Sequence, residues 1–168
     1  MNSVSSTEAD LLRFGYDTGH ITKAQIIAWA DQQIERSDKP SNVLIDLSLC
    51  RDNAANVVLS NLRAIGGNDA AISVKIQIAF LGLSFDRERI SLEQAVRSLY
   101  HIGHDLEYEN GVDDEQRNMI YHLDDGYSLA FSQTYGTIGE IEQTFREFVQ
   151  PYINWLNGQF GQILKHVT

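Results

Sequence analysis

Five candidate helix starts along this chain pair a Ser, Thr or Asp with a Glu or Gln three residues on: Ser5 with Glu8, Thr22 with Gln25, Ser91 with Gln94, Asp113 with Gln116 and Thr137 with Glu140. In such a capping box the first side chain accepts from the backbone N–H three residues on. The second reaches back to the first residue's own N–H, so a helix start is satisfied reciprocally. Apolar residues then follow at helical spacing. After Thr22 come Ile26, Ile27, Ala30 and Ile34. After Ser91 come Leu92, Ala95, Val96, Leu99 and Ile102. After Asp113 come Met119, Ile120, Leu123, Tyr127 and Phe131. After Thr137 come Ile138, Ile141, Phe145, Phe148, Val149, Tyr152 and Leu156. Trp29 and Trp155 fall on or beside such stripes and are expected to be at least half buried.

The middle of the chain reads two ways. Val43, Ile45, Leu47 and Leu49 alternate, and so do Ile72, Val74, Ile76, Ile78 and Phe80. Alternation argues for strands. The second run also carries Ile72, Ile76, Ala79, Phe80 and Leu83 at helical spacing, and no hairpin turn chemistry surrounds either run. Residues 53–65 read as a helix ended by Gly66-Gly67. The expected fold is therefore all-α, a single-domain multi-helix bundle over 1–168. The alternative is α+β, with strands near 43–49 and 72–80. Breaks are expected at Gly19, Pro40, Gly66-Gly67, Gly82, Asn110-Gly111 and Gly136. Pro151, lacking an N–H, is expected to kink or divide the last helix.

Charge and cysteine content narrow the function. The single cysteine, Cys50, permits no intrachain disulfide and suits a reducing compartment. It lies in an apolar run and reads as a buried small hydrophobe rather than a nucleophile. No leader pattern opens the chain and no run of about 18 apolar residues occurs, so a cytoplasmic protein is expected. The net charge of −10 disfavours nucleic acid and anionic membranes as partners. That charge is lopsided: Asp105, Glu107, Glu109, Asp113, Asp114, Glu115, Asp124 and Asp125 face only Arg117 as a base, so residues 105–125 carry −7.

Candidate chemistry is sparse. His101 and His104 share a helical face at a spacing that could give two nitrogens to zinc, with His122, Asp124 or Asp125 as a third ligand that nothing in the sequence places nearby. On a wheel centred at Leu99, however, they point about 200° and about 140° from it, away from the apolar stripe, with Arg97 between them. The segment beginning at Asp105 resembles a calcium loop, but Gly111 falls at its seventh position rather than its sixth and Gln116 replaces the closing glutamate. There is no nucleophile elbow, and no lysine follows Gly66-Gly67 as a phosphate loop would require. No cofactor or metal is expected, and a binding protein is favoured over an enzyme.

Gly19-His20-Ile21 leading to Trp29-Ala30-Asp31, Pro40 to Leu49, and Ile90-Ser91 to Tyr100 resemble small helical bacterial proteins of uncharacterised families, some of which act as immunity proteins. The resemblance covers about half the chain and carries over no functional residue. It implies an intracellular helical protein that binds another protein. The resulting expectation is an immunity-like or regulatory factor masking a basic partner, such as a toxin. Its rim would be Asp105, Glu107, Glu109, Asp113, Asp114 and Glu115, with Tyr108 and Tyr121 as aromatic anchors. The alternative is a metal-dependent helical-bundle enzyme using His101, His104 and His122.

Overall fold

The computed structural model describes residues 3–67, 69–105 and 111–164, with the side chains of 3–5, 162 and 164 outside that description. The described chain is all-α. Eight α-helices follow in order: α1 Ser3–Asp17, α2 Lys23–Glu35, α3 Asn42–Ser48, α4 Ala55–Ile65, α5 Ala70–Asp86, α6 Leu92–His104, α7 Asp114–Phe131 and α8 Ile138–Leu164. A single turn of 3₁₀ helix, Cys50–Asp52, joins α3 to α4.

Four of the five capping boxes start helices. Thr22, Ser91 and Asp113 each receive the N–H of the Gln three residues on, and that Gln returns the bond. Thr137 and Glu140 do the same ahead of α8, at 3.2 and 2.8 Å. Ser5 does not start a helix: α1 is already under way at Ser3. Ser41 caps α3, accepting from Leu44 N–H without a reciprocating Glu or Gln.

Both alternating runs are helical. The first lies in α3, where Leu44 and Leu47 are buried while Ile45 is exposed. The second lies in α5, which buries Ser73, Val74, Ile76, Ile78, Ala79 and Phe80 and so presents buried residues on every side. A helix buried over most of its circumference, with only Ala71, Lys75 and Asp86 exposed, needs little polar face, so its sequence shows no single period. Gly82 breaks nothing. It lies inside α5, where an added Cβ would sit 2.8 Å from Ile153 Cδ1 on α8. Pro151 likewise lies within the continuous α8 and does not divide it.

The chain gathers into two compact units, Met1–Asp69 with Phe160–Thr168, and Ala70–Gln159. In the first, Leu11 and Leu12 of α1, Ile26 and Trp29 of α2, Leu47 of α3, and Val58 and Leu62 of α4 are buried. Trp29 Nε1 donates to Glu8 at 2.8 Å. Asp10 and Arg13 are also buried there, paired at 3.2 Å, and both Asp10 oxygens accept from Gly67 N–H at 2.9 Å, tying α1 to the end of α4. In the second unit, Phe80 of α5, Leu99 of α6, Ile120 and Leu123 of α7, and Phe145 and Leu156 of α8 form the core. Phe85 meets Phe145 edge-on at 5.1 Å between ring centres.

Candidate functional site

The acidic segment is organised by α6 and α7, which pair closely because Gly103 lacks a side chain: a Cβ there would lie 2.9 Å from Ile120 Cδ1. Arg117 reaches back from α7 and donates to the carbonyl of Gly103 at 3.0 Å and of Val112 at 3.4 Å. Thus the lone base of the acidic segment fastens the entry to α7. Gln116, beyond its capping role, donates to the Tyr152 hydroxyl at 2.8 Å and holds α7 to α8. Burial pushes the Tyr152 phenol above its usual range, and the charges of Asp113 and Glu115 add to this against the lowering hydrogen bond from Gln116.

The acids of this segment have three different situations. Asp113 is the α7 cap. Asp124 pairs with Arg97 across α6 and α7 at 2.5 Å. Asp114, Glu115 and Asp125 are exposed, the first two in the opening turn of α7, where a negative charge complements the helix dipole. Asp105 is exposed at the C-cap of α6. Glu107, Tyr108 and Glu109 lie outside the described residues.

Tyr121 is 40% exposed but not idle. His104 Nδ1 lies 2.8 Å from the Tyr100 carbonyl, which can only accept, so Nδ1 carries a proton. In the neutral ring Nε2 is then an acceptor, and the Tyr121 hydroxyl donates to it at 2.7 Å. The imidazole also stacks on Tyr100 at 4.0 Å. His104 is therefore half-buried in an aromatic cluster, not directed to solvent as its wheel angle suggests. His101 and His122 are exposed. Among the described residues, no group of three or more His, Cys, Asp and Glu is placed to hold a metal ion. Arg97 is committed to Asp124 rather than lying idle between the two histidines.

The feature missed from sequence lies at the far end of α7. Phe131 falls on the apolar stripe of α7 by spacing, yet it is 71% exposed, and Tyr135 in the following turn is 79% exposed. Leu129 and Ile138 beside them are also exposed. The α7 and α8 helices run antiparallel, since Gln116 meets Tyr152 at one end while Gly126 approaches Ile141 at the other. The apolar turn thus caps the hairpin opposite the acidic start of α7. One signal was available: no Lys or Arg occurs between Arg117 and Arg146, so the charged Asp and Glu side chains of this stretch are all of one sign.

Elsewhere, an open cleft of about 380 Å³ separates α1 from α4, lined by Arg13, Phe14, Asp17, Leu59 and Arg63 among others. Cys50 is fully buried and its thiol is pushed up by that burial, against the lowering charge of Lys23. No helix among the described residues is long and apolar enough to cross a membrane. Compared with known protein families, curated proteins and solved structures, the chain matches none of them.

Proposed function

We propose that this chain is a protein-binding factor, immunity-like or regulatory, that docks on and masks a basic partner inside the cell. The observation that carries this reading is the α7–α8 hairpin. Asp114, Glu115 and Asp125 stand exposed along α7, and the next base after Arg117 is Arg146 on α8. A field of one sign steers a cationic protein into encounter and repels nucleic acid. A buried cysteine that forms no intrachain disulfide suits a reducing interior. Rim charges govern association, so the test is kinetic. The partner is captured from the native cells, identified and purified. The variant Asp114→Asn, Glu115→Gln, Asp125→Asn leaves the Asp113 cap and the Asp124–Arg97 pair intact. It should associate several-fold more slowly at low salt, with dissociation little changed and the difference shrinking as salt screens it. A partner with no basic face, or unchanged association, defeats the reading.

A further inference from the structure

We infer that the turn between α7 and α8 is the anchor of this interface, a rigid apolar knuckle that inserts into an apolar pocket on a basic protein domain. The inference rests on the reading above and names what would hold the complex once charge has brought it together.

Scattered exposed apolar residues are ordinary on a protein surface. Here Leu129, Phe131, Tyr135 and Ile138 are exposed within a single turn and its flanks, two of them by more than 70%. The turn that carries them is locked. The Leu129 carbonyl accepts from Thr134 N–H at 2.9 Å and from Tyr135 N–H at 3.4 Å. The Ser132 hydroxyl also donates to it at 3.0 Å. Gln133 holds a left-handed backbone, φ 56°, and Gly136 another, φ 73°. The Thr137–Glu140 box closes the far side. The Phe131 ring rests on Tyr127 at 6.0 Å between centres. An aromatic pair fixed in place before binding loses little freedom on docking, and large aromatic side chains in pockets are the usual carriers of binding energy.

Charge selects the occupant. Of the acids flanking the knuckle, Asp124 is paired with Arg97 and Glu142 with Arg146, which leaves Asp125 on α7 and Glu140, the capping partner of Thr137, on α8 to set the local sign. Two copies meeting knuckle to knuckle would bring these acids together, and anionic lipid headgroups would repel them. A protein domain with Lys and Arg around an apolar pocket satisfies both the acids and the rings.

The test uses the intact protein against a phage-displayed library of small three-helix domains with one randomised face. Selected binders should be enriched in Lys and Arg around apolar positions, and their amide-shift perturbations should centre on residues 129–138. Phe131→Ala and Tyr135→Ala should each speed dissociation at least tenfold, with melting temperatures near wild type because the rings are exposed. Binders that are acidic or neutral, or that map elsewhere, overturn the inference, as does dissociation unchanged in both variants. Self-association or vesicle binding lost in the same variants would assign the knuckle to a second copy or a lipid surface and equally overturn it. If charge removal on α7 slows association with the captured partner while the aromatic variants leave its dissociation alone, the knuckle fails and the proposed function stands.

Discussion

Asp10→Ala should be among the most damaging single substitutions outside the apolar core. The Asp10 side chain is 3% exposed and that of Arg13 is 9% exposed, so the pair at 3.2 Å is nearly dry. Removing one partner of a buried ion pair costs about 3–5 kcal/mol, because the Arg13 guanidinium loses its carboxylate in a nearly dry site. Gly67 also loses its acceptor, but as an exposed residue its N–H can turn to water and adds little. Asp10→Asn keeps an oxygen for Gly67 and loses only the charge, which should cost about 2 kcal/mol. Urea unfolding followed by Trp29 fluorescence in a Trp155→Phe background reads the unit that contains Asp10. With a slope of about 2 kcal/mol per molar urea, Asp10→Ala should lower the midpoint by about 2 M and Asp10→Asn by about 1 M. Equal midpoints for wild type and Asp10→Ala would show that Arg13 reaches solvent once freed and that the pair does not fasten α1 to α4.

Further consequences can be measured directly. Gly103→Ala forces a Cβ against Ile120 and should destabilise by about 1–3 kcal/mol, whereas Gly158→Ala on α8, with open space around it, should stabilise by about 0.5–1 kcal/mol; paired thermal melts decide both. Pro151→Ala restores a helical N–H within α8 and should raise stability by up to about 3 kcal/mol, and a lower melting temperature would refute this. Burial raises the phenols of Tyr127 and Tyr152, so the folded state keeps protons that the unfolded chain releases near about pH 10. Their contribution is complete below that pH and is lost as pH climbs through the higher folded values, so Tyr152→Phe should flatten part of the alkaline fall in urea midpoint.

Helix starts were legible because capping chemistry is local: a Thr22, Ser91, Asp113 or Thr137 side chain satisfies its N–H donors whatever the rest of the chain does. The all-α class followed from those starts, and the burial of Trp29 from its stripe. The acidic excess of residues 105–125 is likewise a property of the sequence alone. Tertiary structure decided the rest, since the same local pattern can be enclosed or left bare. The α5 pattern was ambiguous because buried residues take up most of its circumference and leave only a narrow exposed strip at Ala71, Lys75 and Asp86. Gly82, which reads as a breaker, proved to be a site of close approach by α8. His104 joins an aromatic cluster because Tyr121 on α7 offers it a hydroxyl, while Tyr100 on its own helix supplies a carbonyl and a ring. Phe131 continued the apolar stripe of α7 by spacing, yet it is bare, because a stripe is buried only as far as a neighbouring element accompanies it, and here the chain turns away into α8.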